Sequence, residues 1–124
     1  MTTIDANLQT KLSNLIFDLN SFSEIIGRNL KAAELSILKL SPEAERYNAA
    51  WRDMGRFATA NCIVSQILQT ATESGLEKAE SLIRFHIHQI EQFGIIDSHI
   101  SPSVAMAQKE VHAILKELTN KHFN

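Results

Sequence analysis

Apolar residues recur in steps of three and four over the first 40 residues of the chain. At about 100° per residue, these positions fall within an arc of about 80° on one side of an α-helix. The spacing therefore predicts a long amphipathic helix over residues 4–39, whose apolar side must pack against other helices. The stripe consists of Ile4, Leu8, Leu12, Leu15, Leu19, Phe22, Ile26, Leu30, Ala33, Ile37 and Leu40.

A break within this first helix is the alternative. Ser21 and Glu24 have the spacing of a capping box, and Gly27 lowers the local helix propensity. The stripe nevertheless keeps its phase, because it repeats every eleven residues, as at positions 4, 15, 26 and 37. The pattern therefore favours one continuous helix.

Ser41 and Pro42 restart the chain after the stripe. Serine is a good N-cap residue and proline suits the first helical position, so a second helix is predicted from Pro42 to about Thr72. Residues 74–77 have the spacing of a capping box and predict the start of a third helix.

The third helix is expected to open at this capping box, to carry Leu76 on its apolar face and to stop at Gly94, because glycine favours helix C-termini. Residues 95–100 then form an apolar loop. Ser101 and Pro102 repeat the serine–proline start and predict a fourth helix through the end of the chain.

The second helix has two apolar faces that differ in direction by about 120°. It is therefore expected to change packing partners halfway along. Between Phe57 and Thr72 it carries no charge and has several small residues, which favours burial in a core, with a subunit interface as the alternative. The first face contains Tyr47, Ala50, Trp51, Met54, Phe57 and Ala58, and the second contains Ile63, Val64, Ile67, Leu68 and Ala71.

These elements predict an all-α protein, an antiparallel helical bundle of four main helices with a long N-terminal helical hairpin. The 124 residues suit one domain spanning residues 1–124. A chain that is 44% hydrophobic and 21% charged has the composition of a folded protein.

The charge balance argues against nucleic acid and against an anionic membrane as partners. The formal net charge is −2, and the basic residues Arg46, Arg52 and Arg56 share their region with Glu45 and Asp53. No run of apolar residues approaches the roughly 18 that a membrane span needs.

The cytoplasm is the expected location. The first residues have neither the basic region nor the apolar core of a signal peptide, and a lone cysteine excludes an internal disulfide framework. Because Cys62 lies in the uncharged part of the second helix, we expect a buried, inert thiol.

His88 and Glu91 form the candidate pair for a metal site. They are three residues apart, a spacing at which helical ligands converge. His86 points about 160° away from His88, so it is expected to be a half-buried packing residue. We predict no cofactor and no enzymatic activity, because no nucleophile or acid–base pair has a recognisable partner in the sequence.

A polar row on the second helix leaves two interpretations open. The row is either a buried polar network around a small ligand or a face that emerges into solvent, and the rotated apolar stripe favours solvent. It consists of Asn61, Ser65, Gln69 and Thr72.

Large apolar residues on outer faces are the candidate partner-binding residues. Phe17 and Leu35 lie opposite the stripe of the first helix, and Phe85 lies opposite the stripe of the third. The sequence therefore favours a non-enzymatic protein-interaction module (an adaptor, inhibitor or regulator) that acts as a homodimer. The alternative is a bundle that binds a small ligand or a metal.

Overall fold

Four α-helices and one short π-helical segment make up the described parts of the computed structural model. The structure describes the backbone of residues 3–41, 43, 45–94 and 102–123, and the side chains of 6–41, 43, 45–92 and 105–123. The all-α prediction is confirmed. The helices are α1 (Thr3–Lys39), α2 (Glu45–Ser74), α3 (Leu76–Gln89) and α4 (Pro102–His122), and the π-helical segment (Ile90–Gly94) continues from α3.

The first helix is one rod, as its unbroken stripe predicts. It has 37 residues, so its axis is about 55 Å long. It passes through Gly27 without a break, and the Ser21 hydroxyl donates a hydrogen bond to the Phe17 carbonyl oxygen at 3.1 Å instead of capping a new helix. The alternative of two shorter helices is therefore wrong.

α1 and α2 form a long antiparallel hairpin. Near the turn, Leu40 of α1 lines the same groove as Arg46 of α2. At the other end of the hairpin, Leu8 lines a cleft with Ser74. The two helices are in contact along most of their length, and their mutual packing is the most extensive between any two described elements.

α3 and α4 pack beside each other on the half of the hairpin farthest from its turn. α4 runs opposite to α1, since Glu110 shares a cleft with Ile25 while His122 contacts Asp18 farther back along α1. α3 runs opposite to α4, since Arg84 shares a cleft with Asn120 near the end of α4 while Glu91, farther along the chain, contacts His112 at its middle. The four helices therefore alternate in direction, as an antiparallel bundle requires.

The hydrophobic core lies where all four helices meet. Its buried members come from Leu15 to Ile26 in α1 and from Ala60 to Ala71 in α2, together with residues of α3, the π-helical segment and α4. The uncharged half of α2 contributes Ala60, Val64, Ile67 and Ala71 to the core, whereas Ala58, Cys62 and Ser65 are exposed, so only one face of that stretch is buried. The members of the core in α3, the π-helical segment and α4 are Ala79, Ile83, Ile90, Val111, Leu115 and Leu118.

The hairpin continues well beyond this core. We call its outer part, residues 27–56, the distal hairpin. Among its described residues only Ala33 and Ala50 are buried, and neither belongs to the main core. The predicted apolar face of the first half of α2 is therefore only partly covered, because Ala50 packs inward while Trp51 stays exposed.

The start of α2 differs from the predicted one. α2 begins at Glu45, three residues later than predicted, and Pro42 lies outside the described residues. Ser41 still acts locally, because its hydroxyl bonds the Glu43 carboxylate. The predicted loop 95–100 lies outside the described residues, while α4 begins at Pro102 as predicted.

Gly75 alone separates α2 from α3. The predicted capping box over residues 74–77 is wrong, because Ser74 is the last residue of α2 and Gly75 is the N-cap residue, with no side-chain cap. Its φ of 92° and ψ of −177° lie in a region that is almost exclusive to glycine. The sharp reversal of the chain at this point therefore depends on glycine.

The two glycines Gly75 and Gly27 are expected to respond in opposite ways to alanine. Gly75→Ala should lower the free energy of unfolding by about 1–3 kcal/mol, because a Cβ is strained in this conformation. Gly27→Ala is the matched control and should raise it by about 0.5–1 kcal/mol, because the site is helical. Nothing lies within 4 Å of an added Cβ at either position. Urea unfolding followed by circular dichroism measures both, and equal stabilities would contradict the glycine-dependent reversal.

Candidate functional site

The distal hairpin exposes several large apolar side chains. Leu35 is 44% exposed, Leu38 is 81% exposed and Trp51 is 46% exposed. The Trp51 ring packs edge-to-face against the Tyr47 ring, with centroids 6.3 Å apart. Since the distal hairpin also has almost no core of its own, these exposed side chains make it a candidate surface for a partner.

A groove runs between the two helices of the distal hairpin, on the side that leads to α4. It has a volume of about 540 Å³, and a second, smaller cleft follows it toward Glu110. We call the first of these the alanine groove, because small residues form its floor. These residues are Ala32, Ala33, Ser36, Ala49 and Ala50.

The three residues predicted to bind a partner are all exposed, but they do not form one patch. Phe17 is 71% exposed and Leu35 lies 18 residues farther along α1, a distance of about 27 Å along the axis. Phe85 is 54% exposed on α3. Only Leu35 belongs to the distal hairpin, and partner binding by the other two stays a prediction.

The candidate metal pair is placed in an ionic cluster between the π-helical segment and α4. The Glu91 carboxylate contacts the His112 imidazole at 2.8 Å and the Lys116 ammonium at 3.9 Å, with His88 near enough to act on its charge. In the described part of the chain, no group of three histidine, cysteine, aspartate or glutamate side chains is arranged to hold a metal. The cluster therefore joins helices by charge.

The hydrogen bond from His112 is the main cause that holds the pKa of Glu91 below its ordinary value. The positive charge of Lys116 acts in the same direction, while partial loss of water opposes it. Glu91 therefore keeps its negative charge to a lower pH than an isolated glutamate does.

A second ionic cluster fixes the end of α4 to the middle of α1. The Asp18 carboxylate contacts the His122 imidazole at 2.7 Å and the Lys121 ammonium at 2.8 Å. Burial alone would raise the pKa of Asp18, but the hydrogen bonds from Lys121 and His122, with their charges, outweigh it and lower that pKa. The His122 side chain is only 5% exposed, so this contact is largely shielded from water.

Sequence reasoning missed this second cluster. Asp18 lies beside the apolar stripe, where a carboxylate has no obvious partner, and its two partners are more than 100 residues away. The only signal in the sequence is the pair of cationic residues in the last turn of α4, which suits the helix dipole wherever the helix docks. The pairing itself depends on the tertiary fold.

The predicted environment of His86 is confirmed, and that of Cys62 is wrong. His86 is half-buried as predicted, and burial lowers the pKa of its imidazole. Cys62, predicted to be buried, is exposed. It lies five residues before Ile67 and therefore about 140° around the helix from that buried side chain, so it points away from the core.

The polar row on α2 emerges into solvent, which confirms the interpretation that the rotated stripe favours. Ser65, Gln69 and Thr72 are exposed and Asn61 is half-buried. Thr72 donates to the Leu68 carbonyl oxygen at 2.8 Å, and Gln69 contacts Glu73 at 3.3 Å. The row therefore forms local contacts on its own helix.

The chain matches no protein-family model, and searches of curated proteins and of solved structures likewise give no match. Among the described residues, none of the helices combines the length and the hydropathy that crossing a bilayer requires. The geometry of the described surface therefore carries the functional inference.

Loss of the Asp18 charge should destabilise the protein near neutral pH. Asp18→Asn is expected to lower the free energy of unfolding by about 1–2 kcal/mol at pH 7, because two hydrogen bonds to a charged acceptor are weakened. Since the folded-state pKa of Asp18 is lowered, its contribution is complete well above the ordinary value of about 3.9. It disappears as the pH falls through the lowered pKa.

Urea unfolding of the wild type and the Asp18→Asn variant from pH 7 to pH 2 measures this effect. The difference between the two should narrow as the pH falls. Glu24→Gln is the control, because Glu24 and Arg28 form an exposed pair at 3.8 Å and its loss should cost less than about 0.5 kcal/mol. If Asp18→Asn lowered the free energy of unfolding by the same amount at every pH, the charge of Asp18 would not be what stabilises the fold.

Proposed function

We propose that this chain is a non-enzymatic protein-interaction module, an adaptor, inhibitor or regulator that works as a homodimer. A second copy of the chain covers the distal hairpin. The observation that carries the proposal is the mismatch between the hairpin and its core. The distal hairpin lies beyond the main core, and among its described residues only Ala33 and Ala50 are buried.

Burial of apolar area supports this proposal. A helix in water derives most of its stability from packing of an apolar face, and the distal hairpin has little packing of its own. Ala32, Leu40 and Ala49 line the alanine groove and none of them is buried, and covering such apolar surface contributes roughly 25 cal/mol per Å². A partner helix pair would complete the layer that α3 and α4 provide at the other end.

The described histidine contacts support an interaction role over catalysis. The two hydrogen bonds that histidine rings form across helices go to carboxylates, His112 to Glu91 and His122 to Asp18. Each carboxylate is also near a lysine, so both clusters resemble structural ion pairs more than a nucleophile with its base. The distal hairpin then offers the surface on which function depends.

Light scattering after size-exclusion chromatography should give twice the chain mass of 13.9 kDa at micromolar concentration. Hydrogen exchange at concentrations above and below the dissociation constant then locates the contact. Amide protection should rise in residues 27–56 at high concentration and stay constant in the first turns of α3, which serve as the internal reference.

Two results would overturn the proposal. One is a monomer at about 100 µM, a concentration far above the dissociation constants of specific protein complexes. The other is a dimer whose added protection lies around Phe17 or Phe85 and leaves the distal hairpin unchanged. That second result would instead support the outer faces of α1 and α3 as the partner surface.

A further inference from the structure

The alanine groove carries opposite charges at its two ends. Lys39 and Arg46 line the end nearest the turn, and Asp53 lines the end nearest the core. In the cleft that follows, Glu110 of α4 adds a second carboxylate. The groove is therefore basic toward the turn and acidic toward the core.

These charges are unequally neutralised. Among the described residues, no ion pair includes Lys39 or Arg46, so two positive charges line the turn end of the groove, while Glu43 and Glu45 lie outside its lining. Asp53 and Glu110 share one cation, Arg56, at 3.7 and 3.4 Å, which leaves about one negative charge at the core end. The Asp53 side chain is 47% exposed and can accept another partner.

The two ends are related by a simple spacing. Arg46 and Asp53 are seven residues apart on α2, about 10 Å along the axis, and Ala49 and Ala50 lie midway between them. Two copies whose grooves face each other across a twofold axis at these alanines place Arg46 of each copy near Asp53 of the other. An interface in which each patch meets the same patch of a second molecule must be self-complementary in this way.

The floor of the groove suits the same arrangement. Ala33 and Ser36 on α1 face Ala49 and Ala50 on α2 across the groove, and none of these has a long side chain. Helices cross at axial distances of 8–10 Å depending on the side chains at the contact, and small residues permit the shorter distances. The centre of the groove thus permits close packing of another helical hairpin.

We propose that the alanine groove is the dimer contact, and that it is occupied by the distal hairpin of a second copy. The copies are related by a twofold axis through Ala49 and Ala50, and Arg46 of each pairs with Asp53 of the other. This inference rests on the proposed function and names the face and the orientation of that dimer. Around α1, Leu35 lies about 100° and Leu38 about 160° from the mean direction of the groove-lining residues, so both lie outside this contact.

Charge reversal tests the pairing. Arg46→Asp and Asp53→Arg should each raise the dimer dissociation constant at least about tenfold, because each dimer holds two such contacts and both become repulsive. An equimolar mixture of the two variants should dimerise again, to within about threefold of the wild type, because both contacts of the mixed dimer then join opposite charges. A single chain that carries both Arg46→Asp and Asp53→Arg should also dimerise to within about threefold of the wild type, because its two contacts again join opposite charges.

Sedimentation velocity at low ionic strength measures the dissociation constants, and a mass tag on one variant identifies the mixed dimer. Glu24→Arg and Arg28→Glu are the control reversals, since this exposed pair on α1 lies outside the groove, and they should leave dimerisation unchanged. Leu35→Asp with Leu38→Asp should also leave it unchanged. Circular dichroism checks that each variant is folded, and the mixing result is independent of small changes in monomer stability.

The outcomes separate this inference from the proposed function. A wild-type monomer at about 100 µM would overturn both. A wild-type dimer whose single variants dissociate no more readily, or whose mixed variants fail to associate, would overturn the groove contact alone. Loss of that dimer on Leu35→Asp with Leu38→Asp would assign the contact to the outer side of α1, and loss on Trp51→Asp would assign it to the aromatic side of α2.

Discussion

Packing of α1 against α2 is the contact on which the rest of the structure depends. Each helix has an apolar face that needs a partner along its length, and the two helices contact each other more extensively than any other pair of described elements. α3 and α4 are shorter, and they lie side by side instead of end to end, so they can cover only one half of the pair. The structure therefore divides into a four-helix core and the distal hairpin, because α3 and α4 are shorter than α1 and α2.

Polar contacts determine the orientation of α4 against the α1–α2 pair. Along its length, Glu110 contacts Arg56 of α2, His112 and Lys116 contact Glu91 after α3, and the last turn contacts Asp18 of α1. Its apolar side supplies the larger share of the binding energy, because partly exposed ion pairs contribute little each. The three contacts reach three different elements, so together they fix the rotation and the height of α4 in the bundle.

The sequence predicts the parts of this architecture that depend on local periodicity. The continuous first helix, the stop at Gly94 and the start at Pro102 follow from apolar spacing and from the backbone preferences of glycine and proline. The burial of Val64 and Ile67 follows from the phase of their stripe.

Features that depend on distant partners could not be predicted in this way. Cys62 is exposed because the opposite side of α2 packs against the other helices. The absence of charge in this part of α2 does not predict which side is packed. The contact between Asp18 and His122 joins residues whose neighbours in the sequence give no sign of each other. Ser74 lies close enough to both helices to end α2 or to cap α3. The capping-box spacing considers only α3, so it could not predict that Ser74 belongs to α2.

The order in which the helices leave the ribosome has a consequence for the contact between Asp18 and His122. This contact joins residues 104 positions apart, so it can form only after residue 122 has been made. Until then α1 and α2 pair alone, and the apolar positions that later meet Leu115 and Leu118 stay open to water. The nascent chain is therefore most exposed to aggregation, and most in need of a chaperone, in the interval between completion of α2 and arrival of α4.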